Sequence, residues 1–500
     1  MMRPLLSLRQ GLDGGVFKSL DPTIPDYYWE DCRNVLFRDG GVTVSDIFSG
    51  RGSFTITQEP RLGLWQSRTY AFTAKADGIY RTELNGDSVT VSTAQVDSVA
   101  NRSYSANGSD LFQWVNWDAA VCAVNGTGNV RIMGTGTLSF RTVSLLGTAI
   151  GTPGLKASLA FKLGPHLVVA GSFSTSGSGL RWGDTNAPES FTISAASAAG
   201  SLPIREANGK LTACAPLADR QMVYTRTQAF FTQYLGPPYV FGYQLAMNDV
   251  GVVGKNAVVS IAGYNYGLSD RGFFRTNGMT AEPIDTPQIR TWFQDRVNRN
   301  YIEMVNAVHA QDQNMVIWAY PCAPAKVNNE AVGFDYIKGT WTIFDFGWSA
   351  ASNSEALNYP LLGYGVTQYN GTTTVAGEMQ LRKRPVTDAY SPPFASAYAE
   401  TKDMDLGDKN TRKLILGAKI GIYDNPAGYQ DTTFQIGTRE KLTDSVNWSS
   451  TLTVSAQQGF LPLNAQGRWV RLRFGATNFS GQRWSVQTID LYGQRFGRDP

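Results

Sequence analysis

The sequence predicts an all-β protein: a β-propeller of seven or eight blades, followed by a C-terminal β-sandwich. Short segments with apolar residues at every second position recur along the chain, which is the pattern of half-buried strands. Six Asn-Gly and three Asp-Gly dipeptides punctuate the chain, and both favour tight type I′ hairpins. Several of these turns lie about 40 residues apart or about twice that distance. A repeat of roughly 40–50 residues with several short strands is typical of a propeller.

Residues 315–350 carry the clearest strand pattern in the chain. Met315–Tyr320 is apolar and β-prone, residues 332–336 alternate at period two, and a Lys-Gly turn leads back into Thr340–Phe344. A sheet of three or four strands cannot bury its own faces, so it needs further copies of itself. The rest of the sequence supplies such copies.

The predicted strands of the propeller follow one another from residue 26 to about residue 380. The first lies around Val35–Phe37 and runs into the Asp39-Gly40 turn and a return strand. The later ones lie at residues 62–65, 69–73, 79–82, 89–91, 110–117, 120–124, 130–133, 166–170, 180–182, 221–225, 229–234, 257–262, 272–275, 279–284, 315–320, 332–337, 340–344, 361–368 and 372–376.

One short helix is predicted between two of these strands. Thr286 is suited to the N-cap and Pro287 to the first helical position. Ile289, Trp292 and Phe293 share one face of the helix, with Val297 as a further candidate. We interpret this face as a packing face against one sheet.

The composition changes after residue 380, where the chain enters a second domain. Residues 381–395 combine basic residues with a Pro-Pro pair, as linkers do. At least five alternating strands follow in about 100 residues, including residues 414–422 and 468–474, and this density favours a β-sandwich. We therefore divide the chain into an N-terminal arm (1–25), the propeller (26–380), a linker (381–395) and the sandwich (396–500).

The charge balance gives no sign of a dedicated nucleic-acid binder. The chain has 44 basic and 41 acidic residues, with a net charge of +3, and no basic stripe is visible. A chain that merely lets DNA pass would not need one. The sequence contains no signal peptide and no apolar segment of 18 residues, so we expect a soluble chain without a membrane anchor.

The cysteines predict buried, reduced thiols and folding in the cytosol, with a zinc site or a disulfide as the alternative. They are spread more than 80 residues apart and form no CxxC pair. The four are Cys32, Cys122, Cys214 and Cys322.

The sequence shows no residue pattern typical of a catalytic, cofactor or metal site. The two histidines, His166 and His309, are 143 residues apart, and neither has the spacing of a metal site or of a Ser-His-Asp relay. No phosphate loop or dinucleotide fingerprint is present. We therefore expect no catalytic residue, no bound cofactor and no metal, and we interpret both histidines as structural or surface residues.

Paired carboxylates need separate consideration because glycosidases use them. Three pairs are candidates, and most of their members lie near turns, where aspartate bonds to its own backbone. We interpret all of them as turn or surface residues. The pairs are Asp184 with Glu189, Asp335 with Asp345, and Asp285 with Asp295.

Several arginines cluster near the C-terminus and leave two interpretations open. They could form a solvated sheet face, or they could contact a neighbouring subunit or DNA phosphate. These residues are Arg468, Arg471, Arg473, Arg483, Arg495 and Arg498.

Four stretches of the chain share their order and pattern with one known protein family. They are DYYWEDCRNVLFRDGGV (26–42), QAFFTQYLGPPYVFGYQLAMNDVGVVGKNAVVSIAGYNYGLSDRGFFRTNG (228–278), VNAVHAQDQNMVIWAY with VGFDYIKGTWTIFD (305–345), and TKDMDLGDKNTRKLI with WSVQTIDLYGQRFG (401–497). Together they resemble the propeller-bearing tail proteins of short-tailed bacteriophages, the tail nozzle or packaged-DNA stabilisation family. The resemblance covers most of residues 20–497 and rests on pattern and order.

This resemblance implies a structural protein of the virion tail, made in the host cytoplasm and without catalysis. It implies a ring of six subunits at the distal end of the tail, which continues the channel from the portal and adaptor rings, retains the packaged genome and opens for ejection. Its partners would be further copies, the adaptor or portal-side ring proteins, and tail fibres or a needle. Genomic double-stranded DNA would pass without sequence-specific binding. The loops at 171–179 and 323–331 are candidates for a gate in the lumen.

Two alternative functions remain open from the sequence. A carbohydrate- or receptor-binding propeller of a phage tail could stack sugar rings on tryptophans, with Trp114, Trp117, Trp182 and Trp348 as the candidates. A propeller glycosidase would instead depend on Asp184, Asp335 or Asp345.

Overall fold

The described part of the computed structural model contains 40 β-strands, one α-helix and two short 3₁₀ helices, Arg299–Met304 and Gln311–Gln313. Seven four-stranded antiparallel sheets and two six-stranded sheets account for the strands. The predicted all-β fold, a propeller with a β-sandwich, is therefore confirmed, and the propeller has seven blades. The structure describes residues 4–8, 12–18, 28–45, 48–50, 63–66, 70–75, 78–83, 94–95, 111–117, 120–133, 140–142, 155–173, 177–352, 360–364, 377–381, 396–422, 432–454, 459–476 and 484–498.

A tight turn that the sequence predicted joins two of the N-terminal strands. Asp39 and Gly40 have φ values of 55° and 75°, which is the backbone that a type I′ turn requires. The strands are β1 (Pro4–Leu8), β2 (Trp29–Arg33), β3 (Val35–Arg38), β4 (Gly41–Val44) and β5 (Phe48–Gly50).

The propeller sheets follow in chain order, and we number them blades 1 to 7. Blades 1 to 3 consist of β6 (Gly63–Gln66), β7 (Tyr70–Lys75), β8 (Gly78–Glu83) and β9 (Ala94–Gln95); β10 (Gln113–Trp117), β11 (Ala120–Val124), β12 (Arg131–Met133) and β13 (Arg141–Thr142); and β14 (Leu159–Leu163), β15 (His166–Phe173), β16 (Gly177–Trp182) and β17 (Gly200–Pro203).

Blades 4 to 7 complete the series. Their strands are β18 (Ala213–Leu217), β19 (Arg220–Tyr224), β20 (Gln228–Tyr234) and β21 (Phe241–Asn248); β22 (Val258–Ile261), β23 (Tyr264–Ser269), β24 (Gly272–Thr276) and β25 (Ala281–Pro283); β26 (Asn306–Ala310), β27 (Met315–Tyr320), β28 (Glu330–Asp335) and β29 (Thr340–Phe344); and β30 (Ala350–Ser352), β31 (Leu361–Tyr364) and β32 (Gly377–Leu381).

The first strand of each blade is innermost, and these seven strands contact one another in a closed ring in which β30 meets β6. The outermost strand of blade 7 comes from the other end of the chain. Strand β5 pairs antiparallel with β32, with Gly50 opposite Met379 and Phe48 opposite Leu381. An N-terminal segment therefore closes the propeller.

The two ends of the propeller carry different loops. At the mouth end lie the connections between consecutive blades and the loops between the second and third strands of each blade. At the tip end lie the hairpins between the first and second strands and between the third and fourth strands. This follows from the up-and-down order of the strands within each blade.

The sandwich is built from both ends of the chain. One sheet has the order β3-β4-β40-β34-β38, with β1 also paired to β40, and the other has the order β2-β33-β39-β35-β36, with β37 paired to β35. Its remaining strands are β33 (Ala397–Thr401), β34 (Thr411–Ile422), β35 (Thr432–Arg439), β36 (Asn447–Trp448), β37 (Leu452–Val454), β38 (Leu461–Gly467), β39 (Trp469–Ala476) and β40 (Ser485–Arg498).

The predicted domain boundaries at residues 25 and 26 are corrected by this pairing. Strands β1 to β4 do not form an arm and a first propeller sheet; they pair with the C-terminal strands of the sandwich. The physical reason is the buried Trp29, whose ring lies 6.1 Å from that of Phe474 on β39, between centroids. The propeller strands begin at β5 instead. The predicted linker lies outside the described residues apart from Leu381, which ends β32.

The sandwich covers the outer edge of blade 6. The amides of Val16 and Asn34 donate to the carbonyls of Trp341 and Ile343 on β29, at 3.0 and 2.8 Å. The open edge of an outer strand would otherwise present unpaired backbone groups. The two domains thus share backbone hydrogen bonds along this edge.

The short helix forms where the sequence predicts it. Helix α1 (Pro287–Arg296) has Thr286 as its N-cap, and the Thr286 side chain accepts from the Ile289 amide at 3.3 Å. Ile289 and Phe293 are buried, and the Phe293 ring lies 4.9 Å from Phe273 of blade 5. The predicted packing face is confirmed.

The two loops predicted as gate candidates, 171–179 and 323–331, do not have the expected structure of long projecting loops. Residues 171–173 and 177–179 pair with each other as the ends of β15 and β16, and residues 174–176 lie outside the described residues. In the loop at 323–331, the buried Asn328 donates to the carbonyls of Met304 and Trp348 at 2.8 and 2.9 Å. Neither segment is a long projecting loop, because strand pairing and buried hydrogen bonds hold it to the propeller.

Candidate functional site

A cavity of about 440 Å³ lies on the propeller axis. The innermost strands of six blades and the loops that lead into them surround it, so its wall is built from short, rigid segments. The residues at its wall are Leu64, Trp65, Phe112, Gln113, Trp114, Asn116, Cys214, Lys255, Asn256, Val258, Asn306, Ala307, Ala351 and Ser352.

Lys255 crosses the axis at the mouth end of this cavity. It belongs to the loop between blades 4 and 5, yet its Nζ donates to the carbonyls of Leu111 and Asn125 at 2.8 and 2.9 Å. Both acceptors belong to blade 2, which lies across the ring from blade 5. A charged donor with two carbonyl acceptors makes comparatively strong hydrogen bonds, so this ammonium connects opposite blades and narrows the channel.

Gln113 of blade 2 connects its own blade to two further blades inside the cavity. Its Nε2 donates to Cys214 Sγ of blade 4 at 3.1 Å, and its Oε1 accepts from the Ala160 amide of blade 3 at 3.0 Å. Burial raises the pKa of the Cys214 thiol to about 12, so this sulfur is protonated near neutral pH and is a poor nucleophile. These polar groups connect neighbouring blades and stabilise the fold.

A shallow groove of about 300 Å³ lies beside Lys255 at the mouth end, and we call it the mouth groove. Its floor includes the buried Ala157, Leu211 and Val253. Its charged residues are Lys156, Lys210, Lys255 and Glu303, with Lys210 Nζ 3.4 Å from Glu303 Oε1. The groove therefore carries a net positive charge, and the apolar side chains beneath it are already buried in the protomer.

The four tryptophans considered for sugar stacking are poorly suited to it. Trp117, Trp182 and Trp348 are buried, at 6%, 7% and 0% exposure. Trp114 lies between Phe72 and Phe112, with ring centroids 6.2 and 5.7 Å away. Stacking on a sugar needs an open ring face, and these rings use their faces for packing.

The candidate carboxylates do not converge on one site. Asp184 accepts from the amides of Thr185 and Ala198, and Asp335 from those of Ile337 and Lys338, so the predicted turn chemistry is confirmed for both. Asp335 and Asp345 flank β29 at opposite ends of blade 6. Five strand residues separate those ends by about 16 Å, which is farther than a glycosidase pair tolerates.

Asp285 is buried, so the prediction of a turn or surface residue was wrong for it, whereas Asp345 is half-buried. Asp285 pairs with Arg290, with Arg290 Nη2 2.6 Å from its Oδ1, and also accepts from the Phe273 amide. Asp345 accepts from the side chains of Asn34 and Ser396, and burial raises its pKa. The last two carboxylates of the predicted pairs, Glu189 and Asp295, are exposed.

The histidines and cysteines have structural surroundings. His166 is buried, with Nδ1 2.8 Å from the Gly183 carbonyl oxygen, and His309 Nε2 lies 3.1 Å from the Tyr336 hydroxyl. Three of the four cysteines are buried, Cys322 is half-buried, and all four are free thiols. Among the residues that the structure describes, no group of three or more His, Cys, Asp or Glu side chains could hold a metal ion.

The C-terminal arginines are engaged within the sandwich. Arg471 bridges Glu400 and Asp403 at 2.9 and 2.6 Å, and Arg473 pairs with Glu400 at 2.8 Å. The Arg473 guanidinium also lies 4.0 Å above the Trp448 ring. Arg471 and Arg473 are therefore not part of a free, solvated face, because carboxylates within the sandwich pair with them.

The other arginines of this group are more peripheral. Arg468 Nε lies 3.6 Å from Glu440, and Arg495 donates to the Leu406 carbonyl at 2.6 Å. Arg483 and the side chain of Arg498 lie outside the described residues.

Sequence reasoning missed Lys255 and the mouth groove. The groove residues come from loops of different blades, and their meeting depends on the closure of the ring. No local spacing marks Lys255, because its two acceptors are backbone carbonyls more than 100 positions away.

Comparisons with known proteins found similar structures but no related sequence. No protein-family model matches the chain, and no curated protein matches it. PorZ of Porphyromonas gingivalis, a surface component of the type-IX secretion system, has 11% identity and a TM-score of 0.41; the match covers 84% of this chain and 46% of PorZ, so the chain spans about half of that protein's length.

Two further solved structures illustrate the range of similarity. The extracellular domain of the one-component system BT4673 from B. thetaiotaomicron has 8% identity and a TM-score of 0.44, covering 95% of this chain and 62% of that one. The Neurospora crassa Pan2 WD40 domain has 10% identity and a TM-score of 0.38, covering 65% and 90%. Such distant likenesses carry no functional argument, and the fold assignment rests on the strand pairing described above. Among the described residues, no helix is long and apolar enough to cross a membrane.

Proposed function

We propose that this chain is a structural virion protein, the tail nozzle of a short-tailed bacteriophage, and that it acts without catalysis. Six copies form a ring at the distal end of the tail. The ring continues the channel from the portal and adaptor proteins, retains the packaged genome and opens for ejection. Tail fibres or a needle are the partners on its distal side.

The double closure of the chain carries this proposal. Strand β5 completes blade 7, and strands β1 to β4 enter the same sandwich as the C-terminal strands. The N-terminal segment is therefore held in both domains, and pulling on either end of the chain loads paired strands. Close-packed β-structure of this kind resists deformation, which is what a part holding pressurised DNA needs.

The junction between the domains supports the same function. Residues near Gly15 and Asn34 cover the edge of β29 through backbone hydrogen bonds. The Thr342 hydroxyl of β29 donates to the Val35 carbonyl, and Lys338 Nζ lies 2.9 Å from Asp13. Propeller and sandwich are thus joined along a whole strand, as a stiff segment of a ring requires.

The path of DNA in this proposal runs between subunits and does not follow the propeller axis. The axial cavity has a volume of about 440 Å³, which is in the range of small-molecule pockets, and Lys255 crosses it. The major groove of B-DNA alone is about 12 Å wide, so a duplex cannot enter. The lumen would be the central hole of a ring in which each chain is one wall segment.

The test is microscopy and mass measurement of the purified 500-residue chain. Negative-stain microscopy should show a six-fold ring with a central hole, and mass photometry should show a species of six times the 54.6 kDa protomer mass. Antibody labelling of intact particles should mark the tail tip. A strictly monomeric chain, or a label on the capsid surface, would refute the proposal.

A carbohydrate- or receptor-binding propeller is the second candidate. The axial cavity favours it, because its volume suits a small ligand and asparagine side chains lie at its wall. The candidate tryptophans do not favour it, since their faces are covered. A glycan array with the purified chain decides: a nozzle should bind no glycan, whereas a receptor-binding propeller should bind a defined set.

A further inference from the structure

The exposed large apolar side chains of this protein are concentrated at one end of the propeller. The structure describes ten of them, and seven lie at the tip end of blades 3 to 6. The other three belong to the sandwich, and none lies at the mouth end. We call the seven the tip surface: Ile193, Tyr234, Leu235, Tyr239, Tyr264, Met279 and Ile337.

Such clustering differs from the scatter of single apolar residues that most surfaces show. A contiguous apolar patch on a folded protein commonly marks a contact with another molecule. Tyr239 and Met279 are 76% and 79% exposed, so most of their apolar surface stays in contact with solvent in the isolated protomer. Large aromatic residues of this kind dominate the energetics of interfaces.

The most prominent part of the tip surface is the hairpin between β20 and β21 in blade 4. The Leu235 amide donates to the Val240 carbonyl at 3.0 Å and closes the hairpin. Pro237 and Pro238 restrict the backbone between them. Tyr239 is therefore displayed on a stiff loop, and binding through it costs little conformational entropy.

The two ends of the propeller also differ in charge. The hairpin loops at the tip end of blades 3 to 6 contain Asp184, Glu189, Asp219 and Asp312 but only one basic residue, Lys338. The mouth groove at the opposite end contains three lysines and one glutamate. Surfaces of opposite sign attract and orient each other during association.

We propose that the tip surface of one chain docks on the mouth groove of a second copy, head to tail, with Tyr239 and Leu235 seated in the groove between its exposed lysines. This rests on the ring in the proposed function. Contacts that build a closed ring of more than two identical chains join unlike surfaces. The exposed Lys156 and Lys210 of the groove are opposite in charge to the acidic loops that flank the knob, while Ala157, Leu211 and Val253 lie buried beneath them.

Two substitutions disable the two halves of this contact separately. Tyr239→Glu places a charge on the knob, and Thr127→Trp fills the groove with a bulky ring. Both positions are exposed in the protomer, so each variant should keep the fold, and a thermal unfolding midpoint within about 2 °C of wild type checks this. Phe496→Glu on the sandwich, at a side chain 39% exposed, is the matched control.

Sedimentation velocity over a range of concentrations gives the first measurement. We expect rings for wild type and for Phe496→Glu, and monomers for both contact variants, with at least a tenfold rise in the dissociation constant. If wild type forms rings and both variants do so equally well, the contact is wrong while the ring stands. If wild type is monomeric throughout, the ring itself is refuted.

Mixing the two contact variants distinguishes head-to-tail docking from a symmetric contact. Tyr239→Glu retains an intact groove and Thr127→Trp retains an intact knob, so an equimolar mixture should give one-to-one dimers and nothing larger. Failure to form dimers, or dimers of either variant alone, overturns the proposal. Flotation with phosphatidylcholine vesicles checks the competing partner, and vesicle binding that depends on Tyr239 also overturns it.

Discussion

Asn34 and Asp345 form reciprocal hydrogen bonds at the junction of the sandwich and blade 6. The Asp345 amide donates to Asn34 Oδ1 at 3.1 Å, and Asn34 Nδ2 donates to Asp345 Oδ1. Asn34 Nδ2 also donates to the Ser396 carbonyl at 2.6 Å, at the entry to β33. One buried amide thus connects an N-terminal strand, the last strand of blade 6 and the start of the C-terminal strands.

Replacing this amide should destabilise the protein strongly. Asn34 is fully buried and has a φ of 54°, so Asn34→Ala removes hydrogen bonds and strains the backbone. We expect a loss of about 2–4 kcal/mol in the free energy of unfolding, measured with urea. Asn186→Ala is the control, because Asn186 has the same φ of 54° but is exposed. Its cost should be about 1–2 kcal/mol, and equal losses would contradict a role for the buried network.

Asp31 should make stability depend on pH in the acid range. Burial alone would raise the pKa of Asp31, but the charges of Lys18 and Arg33 outweigh it and hold the pKa below its usual value. Because the folded value lies below the unfolded one of about 3.9, the carboxylate stabilises the fold above about pH 4. This stability is lost as the pH falls through the folded value.

The measurement is the difference in free energy of unfolding between wild type and Asp31→Asn. It should be largest near pH 7 and shrink toward pH 3. Asp219→Asn, at a side chain that is 89% exposed, controls for the loss of a surface carboxylate. A difference that stays constant between these pH values would falsify this assignment.

Arg471 should matter for stability and not for DNA binding. Its partners Asp403 and Glu400 are 2% and 7% exposed, and Arg471→Ala removes one of the two arginines that each carboxylate contacts, leaving Arg439 on Asp403 and Arg473 on Glu400. We expect a loss of about 1.5–3 kcal/mol in urea unfolding, the range for hydrogen bonds to charged groups. Arg412→Ala is the control, because its pair with Glu440 is exposed, at 45% and 39%, and should cost under about 1 kcal/mol.

The same variant tests the idea that these arginines contact DNA phosphate. Each phosphate contact contributes about 0.9 to the slope of log affinity against log salt for duplex DNA. Any weak DNA affinity of the chain should therefore keep its salt slope in Arg471→Ala. A slope reduced by about one would show that Arg471 contacts phosphate directly.

Lys255→Met should loosen the propeller without opening a passage for DNA. The substitution removes two hydrogen bonds between blades 2 and 5 and leaves two carbonyls unpaired, at a cost of about 1–3 kcal/mol. Hydrogen exchange should rise at the amides of residues 111–125 and 253–258. Lys326→Met, at an exposed position of blade 6, is the control and should change neither quantity. Unchanged exchange in Lys255→Met would mean that the ammonium does not couple the two blades.

Local signals in the sequence predicted local structure well. The Asp39-Gly40 hairpin, the Thr286 cap with Pro287, and the strands of blade 6 all lie where expected. Each depends on residues only a few positions apart. The backbone preferences of Gly, Asn and Pro and the period of the apolar residues are sufficient for such elements.

Local signals in the sequence could not predict the sheet to which a hairpin belongs. The hairpin of β3 and β4 was predicted in the propeller, but Val42 pairs with Val486 of β40. Its partner is more than 400 positions away, and the alternation of the strand is the same in either sheet. The exposure of individual side chains could not be predicted either. Trp182 and Tyr239 are both aromatic residues, yet Trp182 is 7% exposed and Tyr239 is 76% exposed.

The pairing of β4 with β40 also determines when the chain can fold on the ribosome. Strands β2 to β4 leave the exit tunnel early, but their partners in β33 and β40 follow only after most of the polypeptide has been made. At a synthesis rate of about 5–20 residues per second, the wait lasts roughly 20–90 s. During that interval the N-terminal strands lack their partners from the C-terminal part of the sandwich and expose apolar side chains. A chaperone that shields them should therefore raise the yield of native protein.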